Sequence, residues 1–103
     1  MREDIEERIR SLEEKGVIIV DPRQTYIAPE VDLDRIYKGS VLFPGCRLTG
    51  KRTLVGTCAQ IGTEGPAAIH DTVVGSGAEV GSGFLTDTTL LPMAKVWVLS
   101  SLF

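Results

Sequence analysis

The sequence predicts an all-β chain, a single-stranded parallel β-helix of about four to five coils behind one N-terminal α-helix. Three observations lead there. From residue 17 onward, single aliphatics recur close to every sixth residue, each followed by a small or polar stretch. Glycine and other small residues fall in repeated slots behind those aliphatics. Glycine is plentiful, with eleven in 103 residues, while aromatics make up only 6%. That balance fits many short strands and tight turns better than a compact core built on large rings.

The first element is helical. Ile5, Ile9 and Leu12 recur at i, i+4 and i+7 and share one face, with charged residues around the rest. The stripe is narrow, so the helix covers something rather than sitting inside a core. Gly16 follows as a residue that tolerates the left-handed conformation needed to end a helix, and Lys15 suits the negative end of the helix dipole. Residues 1–16 are therefore expected to form a capping helix, 17–96 the β-helix, and 97–103 an apolar tail.

The repeat begins after Gly16. Its candidate inward aliphatics are Ile27, Leu33, Leu42, Leu48, Leu54, Ile61, Ile69, Val74, Val80, Leu85 and Leu91, with successive gaps of 6, 9, 6, 6, 7, 8, 5, 6, 5 and 6. Six residues make one short strand and one turn. Three such units close a triangular coil of roughly 18 residues, and coils stack at about 4.8 Å. Each aliphatic then points into the prism. A small residue four positions later sits near a corner, as Val31, Cys46, Cys58, Val73 and Ala78 do, whereas Arg52 and Lys95 break that rule.

Composition bounds the function. With 43% hydrophobic residues and a net charge of -3, the chain is apolar enough to fold and too weakly charged for disorder. It lacks the concentrated basic surface that nucleic acid requires. The charged N-terminus has no signal-peptide core, no apolar run spans a bilayer, and the acidic helix does not suit a membrane surface, so the expected location is cytoplasmic. Cys46 and Cys58 have no CxxC spacing or neighbouring histidine, so no metal is expected. Both fall on the small inward slot and read as buried thiols rather than a disulfide.

The aliphatic-Gly-x-x-small-x pattern, as in Ile61-Gly62, Val74-Gly75 and Val80-Gly81, resembles the hexapeptide repeat of left-handed β-helix proteins. Within that group, the run from Gly16 through Asp21-Pro22-Arg23-Gln24-Thr25-Tyr26-Ile27 to Val31 is similar to the β-helix start of bacterial N-acetylglucosamine-1-phosphate uridyltransferases and related sugar nucleotidyltransferase-like proteins. Leu42-Phe43-Pro44-Gly45 and the stretch Ile69 to Gly81 look like coils of the same family. The resemblance covers about residues 3–96 and implies a left-handed coil, against the general right-handed preference of parallel crossovers. It also implies homotrimers. A family nucleotidyltransferase domain would precede such a segment, an acetyltransferase site would lie in later coils shared between subunits, and another glycine-containing turn would follow Val96. The chain thus reads as a truncated relative.

The candidate chemistry is sparse. His70, with Asp71 beside it, is the one candidate for a catalytic base, yet without a visible partner constellation it reads as a surface residue. Arg47, Lys51 and Arg52 are the candidate anion contacts. Gly75-Ser76-Gly77 and Gly81-Ser82-Gly83 lack a P-loop's lysine and read as turns, and Glu64 and Asp87 read as isolated turn carboxylates. The expectation is a structural, oligomerising β-helix module without catalysis on its own and without a cofactor. The alternative is a transferase fragment binding an acyl-CoA or a nucleotide sugar between trimer faces. The tail, with Trp97, Leu99, Leu102 and Phe103, is expected to plug the far end or meet another subunit.

Overall fold

The computed structural model describes residues 2–96, with side chains from Glu6 onward. The expected tail over 97–103 and the side chain of Ile5 lie outside the described residues. The architecture is the expected all-β one, a left-handed parallel β-helix of about four turns behind one N-terminal helix.

Helix α1 spans Arg2–Glu14. It ends in a Schellman motif: Val17 N–H reaches back to the Leu12 carbonyl at 3.0 Å and Gly16 N–H to that of Glu13 at 3.1 Å. Gly16 takes a φ of 103° there, which glycine adopts without steric cost. Ile9 and Leu12 are buried against the first coil. Polar groups tie the helix to the same end, with the Arg8 guanidinium donating to the Ala28 and Val31 carbonyls at 3.1 and 2.6 Å and Lys15 to that of Leu33.

The strands are β1 Ile18–Ile19, β2 Tyr26–Ile27, β3 Val41–Leu42, β4 Arg47–Thr49, β5 Leu54–Val55, β6 Gln60–Ile61, β7 Ala67–His70, β8 Val73–Val74, β9 Glu79–Val80, β10 Gly83–Thr86, β11 Thr89–Leu90 and β12 Lys95–Val96. They form three parallel sheets, the faces of the prism. Face A has the order β1-β3-β6-β9-β12, face B β10-β7-β4-β2, and face C β11-β8-β5. Face C is extended by a bridge from Ile36 to Val55. Stacking is in register, with Leu42 over Ile61 and Ile61 over Val80 on face A, and Ile27, Leu48, Ile69 and Leu85 aligned on face B.

Three inward assignments need correction, and all lie on face C or the turn leading to it. Leu33 sits in a 3-10 turn and Ile36 is the fully buried residue of that side. Leu54 is half-buried and points outward, while its neighbour Val55 fills the prism. Leu91 is exposed and Leu90 takes the inward place. The small-residue slot shifts accordingly. Ala59, not Cys58, is buried before Ile61, and Thr72, not Val73, before Val74. The apparent rule-breakers vanish too, because the small residues are Thr53 beside Arg52 and Ala94 beside Lys95.

The regularity is therefore one of strand alternation: small and inward, any residue outward, aliphatic and inward. Ser40-Val41-Leu42, Cys46-Arg47-Leu48, Thr53-Leu54-Val55, Ala59-Gln60-Ile61, Ala67-Ala68-Ile69, Thr72-Val73-Val74 and Ala78-Glu79-Val80 all follow it. The pattern has the two-residue period of a β-strand, whereas turn length varies. The hydroxyls at these corners stay satisfied inside the wall: Ser40 donates to Tyr37 O at 2.7 Å, Thr72 to His70 O at 2.9 Å, and Thr53 to Thr49 O.

Left-handed residues stack at the corners as well. Gly39, Cys58, Gly77 and Met93 all have positive φ, and each hands its N–H to the preceding coil. This is why Cys58 is exposed: it occupies a turn rather than the inward slot. Gly50, Asp71 and Asp87 form the equivalent column at the corner between faces B and C.

Candidate functional site

The outer surface of the B–C corner gathers most of the titratable side chains singled out in the sequence. In-register pairing sets Thr49 beside His70, and His70 beside Thr86. His70 Nδ1 lies 2.8 Å from Thr49 Oγ1, and its Nε2 lies 3.3 Å from Asp71 Oδ2. Hydroxyl, imidazole and carboxylate thus form one chain along the surface. Asp71 can sit there because its φ of 48° turns its side chain back over the coil, where Oδ1 also accepts the Arg52 N–H at 3.1 Å. Arg52 pairs with Asp87, two coils along, and lies 3.9 Å from Asp71 of the coil between.

Glu30 completes this corner from the first coil. Its Oε2 accepts the Gly50 N–H at 3.0 Å, and that hydrogen bond, with a smaller contribution from nearby His70, lowers its pKa from the ordinary 4.5. Sequence reasoning missed Glu30 because the partner is a backbone amide 20 residues away. The same reasoning treated Asp87 as isolated, yet Arg52 holds it across the coils.

The candidate anion contacts separate. Arg47 projects outward from β4, its guanidinium carbon 5.0 Å above the centre of the Tyr26 ring. It lines a groove of about 1160 Å³ between α1 and face B. Lys51 is exposed in the turn at the B–C corner. Arg52 lines a different, smaller depression of about 260 Å³ with Arg35, Asp71 and Asp87. The first glycine-serine-glycine run lies in the turn before β9, and the second leads into β10, whose first residue is Gly83. At Gly75 an added Cβ would come within 2.6 Å of Pro92 N, so close coil stacking accounts for that residue.

Cys46 is fully buried, and burial pushes its thiol up to about 12. Among the described residues no three His, Cys, Asp or Glu side chains are placed to hold a metal ion. No helix among them is long and apolar enough to cross a membrane.

The fold and its corner define a parallel β-helix with polar columns on its outside and a solid aliphatic interior. Sequence comparison goes one step further. The chain is 29% identical over 89 residues to the bifunctional protein GlmU of Clostridium novyi, an alignment covering 81% of this chain and 18% of that protein. It is 40% identical over 67 residues to GlmU of Thermoanaerobacter pseudethanolicus (65% of this chain, 13% of that one). With GlmU of Exiguobacterium sibiricum it shares 34% identity over 82 residues, 80% of this chain and 17% of the relative. The chain is a left-handed β-helix related to the bifunctional GlmU proteins, and it resembles the start of their β-helix. It spans less than a fifth of the length of these relatives. No family model and no solved structure matches it.

Proposed function

We propose that this sugar nucleotidyltransferase-like β-helix segment is a structural and oligomerising module that performs no catalysis on its own. One observation carries the reading: the outward surface of face A is apolar over its first two coils. Ile18 and Val20 are both about half exposed beside β1, at 54% and 52%, and Val41 and Phe43 flank them on the next coil. Further along the same face the outward residues become Gln60, Glu79 and Lys95. A face that is apolar at one end and polar at the other suits a partner seated on the first two coils. The partner favoured here is a second and third copy of this chain, in keeping with the trimer that the hexapeptide resemblance implies.

Light scattering at several protein concentrations tests this. A trimer that becomes a monomer in the double variant Ile18→Asp and Val20→Asp supports the module. A native chain that stays monomeric throughout overturns it.

A second reading, a transferase fragment that takes an acyl-CoA or a nucleotide sugar between subunits, draws on the Thr49–His70–Asp71 chain. An imidazole held by a carboxylate on one side and facing a hydroxyl on the other is the arrangement a general base requires. Calorimetry with acetyl-CoA and with UDP-N-acetylglucosamine decides it. Saturable binding that His70→Ala weakens supports this reading, and no heat at millimolar ligand removes it.

A further inference from the structure

The groove between α1 and face B is not used by either reading. We infer that it binds a small organic molecule with one phosphate head and a flat apolar body, an aryl or heteroaryl phosphate. Three arginines from three separate elements line it: Arg10 from α1, Arg23 from the 3-10 turn Pro22–Gln24, and Arg47 from β4. Its floor is largely apolar, with Ile9 and Cys46 buried and Pro22 and Tyr26 beside them.

The arginines are available. Among the described residues, the ion pairs made by Arg side chains belong to Arg52, and none joins Arg10, Arg23 or Arg47 to a carboxylate. Arg10 keeps clear of Glu6 and Glu13 even though both lie within helical reach, at i-4 and i+3. Arg47 is also pre-positioned. Its guanidinium carbon lies 5.0 Å from the centre of the Tyr26 ring, a cation–π contact that restrains the side chain. A guanidinium held that way can fork onto two oxygens of a phosphate with little further loss of freedom. By contrast, Arg52 has its donors engaged by Asp87 and Asp71.

The acids define the rest of the ligand. Glu6 and Glu13 line the helix side of the same groove, so its charged lining is three bases against two acids. A polyphosphate would meet those carboxylates, whereas a single phosphate can sit against Arg23 and Arg47, which come from elements other than α1, and leave an uncharged body against Ile9, Pro22 and Tyr26. A groove of about 1160 Å³ admits such a molecule, since small-ligand sites commonly run from about 300 to 1,000 Å³.

Phenyl phosphate is the minimal probe, with inorganic phosphate and phenol as its two halves. Amide shifts in a 15N–1H NMR titration report both binding and place. The expected result is saturable shifts confined to Ile9–Arg10, Arg23–Ile27 and Gly45–Leu48, with phenyl phosphate tighter than either half and tighter than inorganic triphosphate. Charged hydrogen bonds of this kind correspond to at least about a tenfold loss of affinity in Arg47→Gln. Arg23→Gln, on an exposed turn where folding is not at stake, is expected to weaken binding in the same direction, and Arg52→Gln to leave it unchanged. Absence of saturable shifts up to about 10 mM phenyl phosphate, weaker than any useful site, overturns the inference. So does equal affinity in native protein, Arg47→Gln and Arg23→Gln, or tighter binding of the triphosphate.

Discussion

At the scale of single residues, the two cysteines carry the sharpest contrast, since one is in the wall and the other on a corner. Cys46 is fully buried with its thiol pushed up to about 12, so little thiolate exists there near neutral pH. Cys58 is exposed. A thiol reagent at pH 8 is expected to modify one cysteine per native chain, at residue 58, and a second after denaturation. Mass mapping of the labelled peptide checks the position. Cys58 is also left-handed, with φ of 61°, between the glycines Gly39 and Gly77 of its corner column. A side chain in that conformation costs about 1–2 kcal/mol, part of which glycine's greater unfolded freedom cancels. Cys58→Gly is thus expected to raise stability by about 0.5–1 kcal/mol in urea titrations.

Glu30 gives a residue-scale pH dependence. The Gly50 amide lowers its pKa below 4.5 in the folded chain, so the folded state holds the carboxylate more tightly than the unfolded state does. That contribution is fully present above the unfolded value near 4.5 and is lost as pH falls through the lower folded value. Glu30→Gln should therefore destabilise the chain at neutral pH, and the difference from native should shrink as pH falls through the lowered folded value. Denaturant midpoints measured across that range test the sign.

At the scale of elements, the strands were legible because the aliphatic spacing survives in one dimension. Ile27, Leu42, Leu48, Ile61, Ile69, Val74 and Val80 occupy the inward places expected of them. The misses on face C arise where two aliphatics adjoin, as in Leu54-Val55 and Leu90-Leu91, so that a count by sixes cannot choose between them. The small residue two places earlier does choose: Thr53 precedes Val55, and Thr88 precedes Leu90. The B–C corner was hidden for another reason. Its contacts join residues about 20 positions apart, and their register depends on turn lengths that sequence spacing alone does not fix. The corrected phase makes a direct prediction. Val55 is fully buried and Leu54 half-buried, so Val55→Ala should cost about 2 kcal/mol and Leu54→Ala less, although leucine loses the larger group. A larger cost at Leu54 would restore the original phase.

At the scale of the whole molecule, the two ends of the prism differ. Helix α1 closes the first coil with Ile9, Leu12, Arg8 and Lys15, while in the last coil Leu85, Leu90 and Ala94 are only partly buried among the described residues. The middle coils have a neighbour on both sides, and their inward residues Leu42, Leu48, Val55, Ile61, Ile69 and Val74 are fully enclosed. Stability in a stack of this kind is a sum over coils and the interfaces between them, so a coil whose inward residues are only partly enclosed opens at lower cost than one whose inward residues are fully enclosed. Amide hydrogen exchange should accordingly be fastest in β10, β11 and β12, and slowest in β4, β6 and β7. Protection of β1 and β2 should fall in between or match the middle, because α1 supplies the missing interface. The double variant Ile9→Ala and Leu12→Ala then removes that cover, and β1 and β2 should begin to exchange like the last coil while β6 and β7 lag behind. Uniform protection across all coils would instead mean that the chain opens as one cooperative unit, with the helix serving as an integral part of the core rather than its lid.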